Sequence, residues 1–257
     1  MVDHVLEKIK RANTHIEEFQ TALDAFKKTK PYQISGKRDT KTREFIYYVI
    51  KADPIPPDLS VISGDVLQNL RTALDYLIVS LIHAHSGPTA DISKCGFPIF
   101  DEVPTTKDDE SFFAGKVKGM KNEAKELLRT LKPYKGGDDA LWRLHALNNR
   151  DKHRLLLTAA TTLRPFNVGE HIRATRKNLK GHIPDFVAGT RDRIFPLKVG
   201  IILLVDPPDS EENKNIKLTV DIVFNESGVC EGEPIFLVLR SSLNKVRHTL
   251  EKFAAFR

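Results

Sequence analysis

Cysteine is scarce in this chain. Only Cys95 and Cys230 occur among 257 residues, far apart and in no metal-type spacing. A disulfide framework is thereby excluded, and a reducing, cytoplasmic compartment is expected. No apolar run approaches the roughly 18 residues of a membrane span. The opening stretch, MVDHVLEKIKRANTHIEEF, is charged throughout and does not read as a signal peptide. There is no glycine-rich phosphate loop, and neither serine nor cysteine sits in a nucleophile motif. HAH at 83–85 offers two metal ligands, but no third lies at a recognisable spacing. No metal, cofactor or membrane partner is expected.

What remains is an ordinary globular composition, 40% apolar and 29% charged, in a chain long enough for one large domain or two small ones. The net charge of +6 is unevenly spread. Between 164 and 198, eight Lys/Arg face only Glu170, Asp185 and Asp192. Such a segment suits RNA or another polyanion, and it equally suits a solvated basic loop.

Val2, Val5, Ile9, Ala12, Ile16, Phe19, Leu23 and Phe26 alternate spacings of three and four. That stripe predicts a long helix packed along another, in the same chain or in a homodimer. Pro31 ends it. A β-hairpin is expected over 31–53 around the polar turn SGKRDTK, then extended chain at PIPP, 54–57. A second long helix is expected at 58–83, a weak one after the acidic run at 108–110, another from 122 until Pro133, and a last over 136–160. Past residue 160 the pattern changes. Residues 192–206 and 217–225 read as strands, and the final segment becomes a helix in its later part. The fold expected is α+β and mainly α: a helical bundle over 1–160, with the hairpin inserted, then over 161–257 a basic linker and a smaller antiparallel β part closed by a helix.

One stretch resists a purely structural reading. LNNRDKHRLLL, 147–157, places Asn149, Arg150, Asp151, Lys152, His153 and Arg154 on a helix otherwise rich in leucine and tryptophan. Asn149, Asp151 and His153 interrupt apolar stripes, and a buried charge without a partner destabilises a fold. Partners exist on the 58–83 helix: Arg71 and Asp75, four apart, can pair with each other, and Asp75 can reach Arg150, Lys152, His153 or Arg154. Two readings stay open. In one, the block is an interhelical ion cluster that sets register. In the other, His153 transfers protons with Asp75, while Arg71, Asn149, Arg150, Lys152 and Arg154 bind a phosphate.

The pair GDVLQNLRTALDYL and LWRLHALNNRDKHRLLL resembles a family of uncharacterised bacterial proteins with an N-L-R-x-A-L-D-x-L helix and an L-N-x-x-D-K-H-R helix. The resemblance spans roughly 60–160 and brings no established activity. More distantly, the layout is similar to HEPN domains, helical bundles that often act as metal-independent ribonucleases. That likeness puts His153 at the histidine of their signature and Asp75 at an earlier acid. It implies RNA as partner or substrate. At the signature's arginine this chain carries Asn148, Leu147 or Ala146. A non-catalytic interaction or scaffold protein, binding a partner or dimerising through its first helix, is the alternative expectation.

Overall fold

A computed structural model describes residues 2–153, 157, 159–163, 166–176, 182–185, 187–188, 197–208, 210–213 and 220–256. The predicted stripe forms α1 (Val2–Lys28). Val5, Ala12, Ile16 and Phe19 on it are fully buried. The helix ends where Lys30 turns left-handed at φ 51° just ahead of Pro31. The hairpin follows as β1 (Tyr32–Arg38) and β2 (Phe45–Ala52), antiparallel, with Tyr32 opposite Ala52 and Arg38 opposite Phe45. The Asp39 carboxylate holds its turn by accepting from the backbone N–H of Lys41 and Thr42, each at 2.8 Å.

Next comes α2 (Pro57–Ser86), somewhat longer than expected. A proline at its first position suits the helix start, and Gly87 at φ 87° ends it. Leu67, Leu70, Leu74, Leu77 and Ile78 bury its inner face against α1. Two short helices, α3 (Lys107–Lys116) and α4 (Asn122–Thr130), precede α5 (Asp139–His153). The fourth helix stops earlier than Pro133 because Lys132 is itself left-handed.

The fifth helix does not run to 160. Residues 159–163 form β3 (Ala159–Leu163), which pairs with β7 (Val220–Glu226), itself paired with β8 (Cys230–Pro234). β-Branched Thr161 fits that sheet, and the pairing available from β7 overrides the helical pattern upstream. A two-stranded piece, β4 (Phe166–Asn167) with β5 (Val187–Ala188), flanks α6 (Val168–Thr175). Only 202–206 of the expected 192–206 strand is a described strand, β6 (Ile202–Asp206), and 192–196 lie outside the described residues. It pairs antiparallel with β2, so the inserted hairpin and the later half of the chain share one sheet.

The last helix, α7 (Ile235–Lys252), starts at once after β8 rather than midway through the final segment. It packs on α1, α2 and α5. One core cluster therefore unites all four with Ile222, Phe224 and Cys230 of the β3–β7–β8 sheet. The α1 stripe is spent in this core.

Candidate functional site

Of the polar residues singled out in the sequence, Arg71, Asp75 and Asn149 lie at the seam between α2 and α5. The two helices pack together and run in opposite directions, with Gly64 against Asp151 at one end and Arg71 and Asp75 near His145 at the other. Their polar groups divide into three sets.

The first is a clamp made by α2 itself. Arg71 forms an ion pair of 2.9 Å with Asp75 and donates to the carbonyl of Phe97 at 2.8 Å. Asp75 Oδ1 accepts from the Phe97 N–H at 2.9 Å. A Cβ at Gly96 would lie 2.8 Å from the same oxygen, so the loop approaches this closely only with glycine there. Burial pulls the Arg71 guanidinium below its usual range, and Asp75 opposes that. The expected bridge from Asp75 across to Arg150, Lys152, His153 or Arg154 does not appear among the described contacts. Asp75 is held one turn away by Arg71, and both are used to fasten the 95–99 loop.

The second set ties α5 to the β7–β8 turn. Arg150 forms a 2.9 Å pair with Glu226, which is 2% exposed, and donates to the Ser227 carbonyl at 2.8 Å. Arg143 pairs with Glu233 at 3.0 Å. Between these pairs Cys230 is buried, and desolvation, with Glu233 adding to it, pushes its thiol up to about 12. That thiol is inert as a nucleophile at neutral pH.

The third set belongs to α5 along the seam. His145 Nε2 stands 3.0 Å from Asn149 Nδ2. An amide nitrogen only donates, so Nε2 accepts and the proton sits on Nδ1. Nδ1 is buried with no hydrogen-bond partner. Burial first, then the Arg71 charge, lowers this imidazole to about 4, against the pull of Asp101 and Asp75. It is therefore neutral at pH 7. Asp151 packs against Gly64, where burial and the neighbouring Asp65 raise its carboxyl. Asn148, 1% exposed, has neither side-chain polar atom bonded.

The seam thus brings together Arg71, Asp75 and Asn149 and adds His145. Arg150 is turned away to the sheet, and Lys152 is exposed. His153 is the last residue of α5, its side chain outside what is described, and Arg154 lies outside the described residues altogether. His145 went unnoticed in the sequence although its signal was there: His145 and Asn149 stand four apart, the spacing of facing helical neighbours.

A second polar pair was also missed. His171, 3% exposed, bonds Asp206 at 2.8 Å, and Asn213 Nδ2 lies 3.2 Å from its other nitrogen. The Tyr47 ring meets it edge-on at 5.6 Å. These contacts pin α6 to the β1–β2–β6 sheet. The members lie 35 and 42 residues from His171, a separation that no local pattern reveals.

Among the described residues, no group of three or more His, Cys, Asp or Glu is placed to hold a metal ion, and no helix is long and apolar enough to cross a membrane. No family model, curated protein or solved structure matches this chain.

Proposed function

We propose that this chain is a non-catalytic binding protein on a HEPN-like bundle, with RNA or a similar polyanion as partner and with the α2–α5 seam as its framework. The observation that carries the reading is the placement of Arg150. It is the arginine nearest His153 on the amino-terminal side, and its fork is spent on a buried carboxylate and a backbone carbonyl. Arg71 is likewise spent on Asp75 and Phe97. Each guanidinium already directs both terminal nitrogens at internal partners, and these compete with the bidentate phosphate contact that would stabilise a cleavage transition state. His145 carries its proton on the nitrogen away from Asn149, so as it stands it cannot accept one there. The excess of basic residues over 164–198 and the exposed Lys152 supply the attraction for a polyanion. The two cysteines, both free thiols, fit a cytoplasmic setting.

The test is incubation of the purified chain with a mixed RNA pool, with and without chelator, beside Lys152→Gln, His145→Gln and His153→Ala. Binding should weaken steeply with salt, by about 0.7 of a slope unit per single-strand phosphate neutralised. Lys152→Gln should lower both affinity and slope, and the RNA should stay intact. Cleavage that His145→Gln or His153→Ala abolishes would replace this reading with a ribonuclease, and absence of any binding would remove RNA as the partner.

A further inference from the structure

Away from the α2–α5 seam, a half-open cavity of about 420 Å³ lies between the 99–106 segment, α3, and the turn that follows α4. Its size falls in the range of small-molecule sites. Phe100, Val103, Phe113, Pro133 and Tyr134 make its apolar wall. Two of these come from one backbone arrangement: Phe100 donates to the Pro133 carbonyl at 2.9 Å and forms a parallel bridge with Tyr134.

Four charged side chains line the same cavity, and three are already engaged. Asp109 accepts from the N–H of Thr105 and Thr106 and from the Thr106 hydroxyl, in the box that caps α3. Glu110 accepts from Arg129 at 2.5 Å, and the Arg129 guanidinium sits 3.9 Å from the centre of the Phe113 ring. The fourth is Lys132, which is exposed and whose ammonium has no hydrogen bond or ion pair among the described residues. Its backbone is left-handed at φ 51°, which a side-chain-bearing residue adopts at a cost. The turn imposes this: the Lys132 carbonyl accepts from Tyr134 at 2.8 Å and from Asp138 at 2.7 Å. A Cβ on Gly137 would stand 2.5 Å from that carbonyl oxygen. The turn thus holds an ammonium without a partner among the described residues, on a strained backbone, at the rim of an aromatic cavity.

The geometry points to a binding site for a small planar aromatic anion, its ring against the half-buried Phe100 and Tyr134 and its anionic group on Lys132. The four charges of the lining cancel, so the sign rests on which group is available: Asp109, Glu110 and Arg129 are bonded within the lining, whereas the Lys132 ammonium keeps its donors for a ligand. A desolvated aromatic wall supplies stacking to the ring, and a hydrogen bond to a charged donor supplies orientation. A free aromatic carboxylate and a nucleotide share this chemistry. The site is independent of the RNA reading, which Lys152→Gln tests.

The experiment is calorimetric titration of the full chain with benzoate, indole-3-acetate and 5′-AMP, and with uncharged benzamide as control. At least one charged probe should bind below millimolar. Lys132→Gln should weaken it about tenfold while leaving benzamide unchanged. Lys132→Arg should largely restore it. Val103→Trp, at a position 55% exposed, fills the cavity from its solvent side and should weaken every probe. Binding by 5′-AMP alone identifies a nucleotide, and binding by the carboxylates alone identifies a free acid. No charged probe binding at millimolar concentration, or binding that Lys132→Gln leaves unchanged in a variant with wild-type melting, overturns the proposal.

Discussion

His145 makes the stability of this protein depend on pH in a way that one substitution isolates. Its ordinary value is 6.5, and in the folded chain burial and Arg71 lower it to about 4. Between those values the unfolded chain holds a proton that the folded chain does not. Stability therefore falls as pH drops through 6.5 towards 4, and this contribution is intact above 6.5. Integrated from pH 7 to pH 5, a shift of this size removes about 2 kcal/mol. Solvent reaching the part-exposed ring screens the effect, which brings the expected loss to about 1 kcal/mol. For a chain of this length that corresponds to roughly 2–4 °C in melting temperature. Carboxylates also titrate in this range, so the wild type alone decides nothing. His145→Gln removes the titration and keeps a group able to accept from Asn149. Melting curves of both proteins at half-unit steps should converge near pH 5 relative to their separation at pH 7, the wild type losing the extra 2–4 °C. Parallel curves across the window would refute the reasoning, because they would mean that His145 protonates as easily folded as unfolded.

Three further outcomes follow from the packing. Ile16→Asp places an unpaired charge in a fully buried position of α1 and should cost more than about 3 kcal/mol in denaturant unfolding; wild-type stability would show that the stripe is not core. Glu226→Ala strands Arg150 and should cost about 3 kcal/mol, whereas Glu226→Leu combined with Arg150→Met should recover much of it; a double variant as unstable as the single would sink the account of the pair as a clamp. Gly64→Ala sets a methyl 2.5 Å from Asp151 Oδ1 and should cost about 1–3 kcal/mol, with Asp151→Ala in the same chain restoring most of the loss; additive destabilisation would show that Asp151 is not what Gly64 accommodates.

The long elements were legible in the sequence because their signals are local. Spacings of three and four place Val5 to Phe26 on one face of α1, Pro31 ends the run, and β-rich arms mark the hairpin over 31–53, although β1 runs on to Arg38, through the first half of the stretch expected to be its turn. The Arg71–Asp75 pair was legible for the same reason, being one helical turn long. The end of α5 was not, because the helical pattern carries on into residues that β7 recruits from about sixty positions later.

Which charges meet across elements was decided by tertiary structure alone. Opposite charges on two helices predict attraction but not a partner, since many pairings satisfy the same sequence. Arg150 finds Glu226 because α7 docks into the bundle and brings the sheet's β7–β8 turn beside α5. Asp75 stays with Arg71 because a glycine at 96 lets the Phe97 backbone come close enough to complete its hydrogen bonds. The neutral state of His145 likewise needs the neighbours that folding supplies, for burial shifts a histidine only once water has been replaced around it. Periodicity along a chain specifies which face is buried; what a polar group on that face bonds to depends on distances that exist only after the chain has closed on itself.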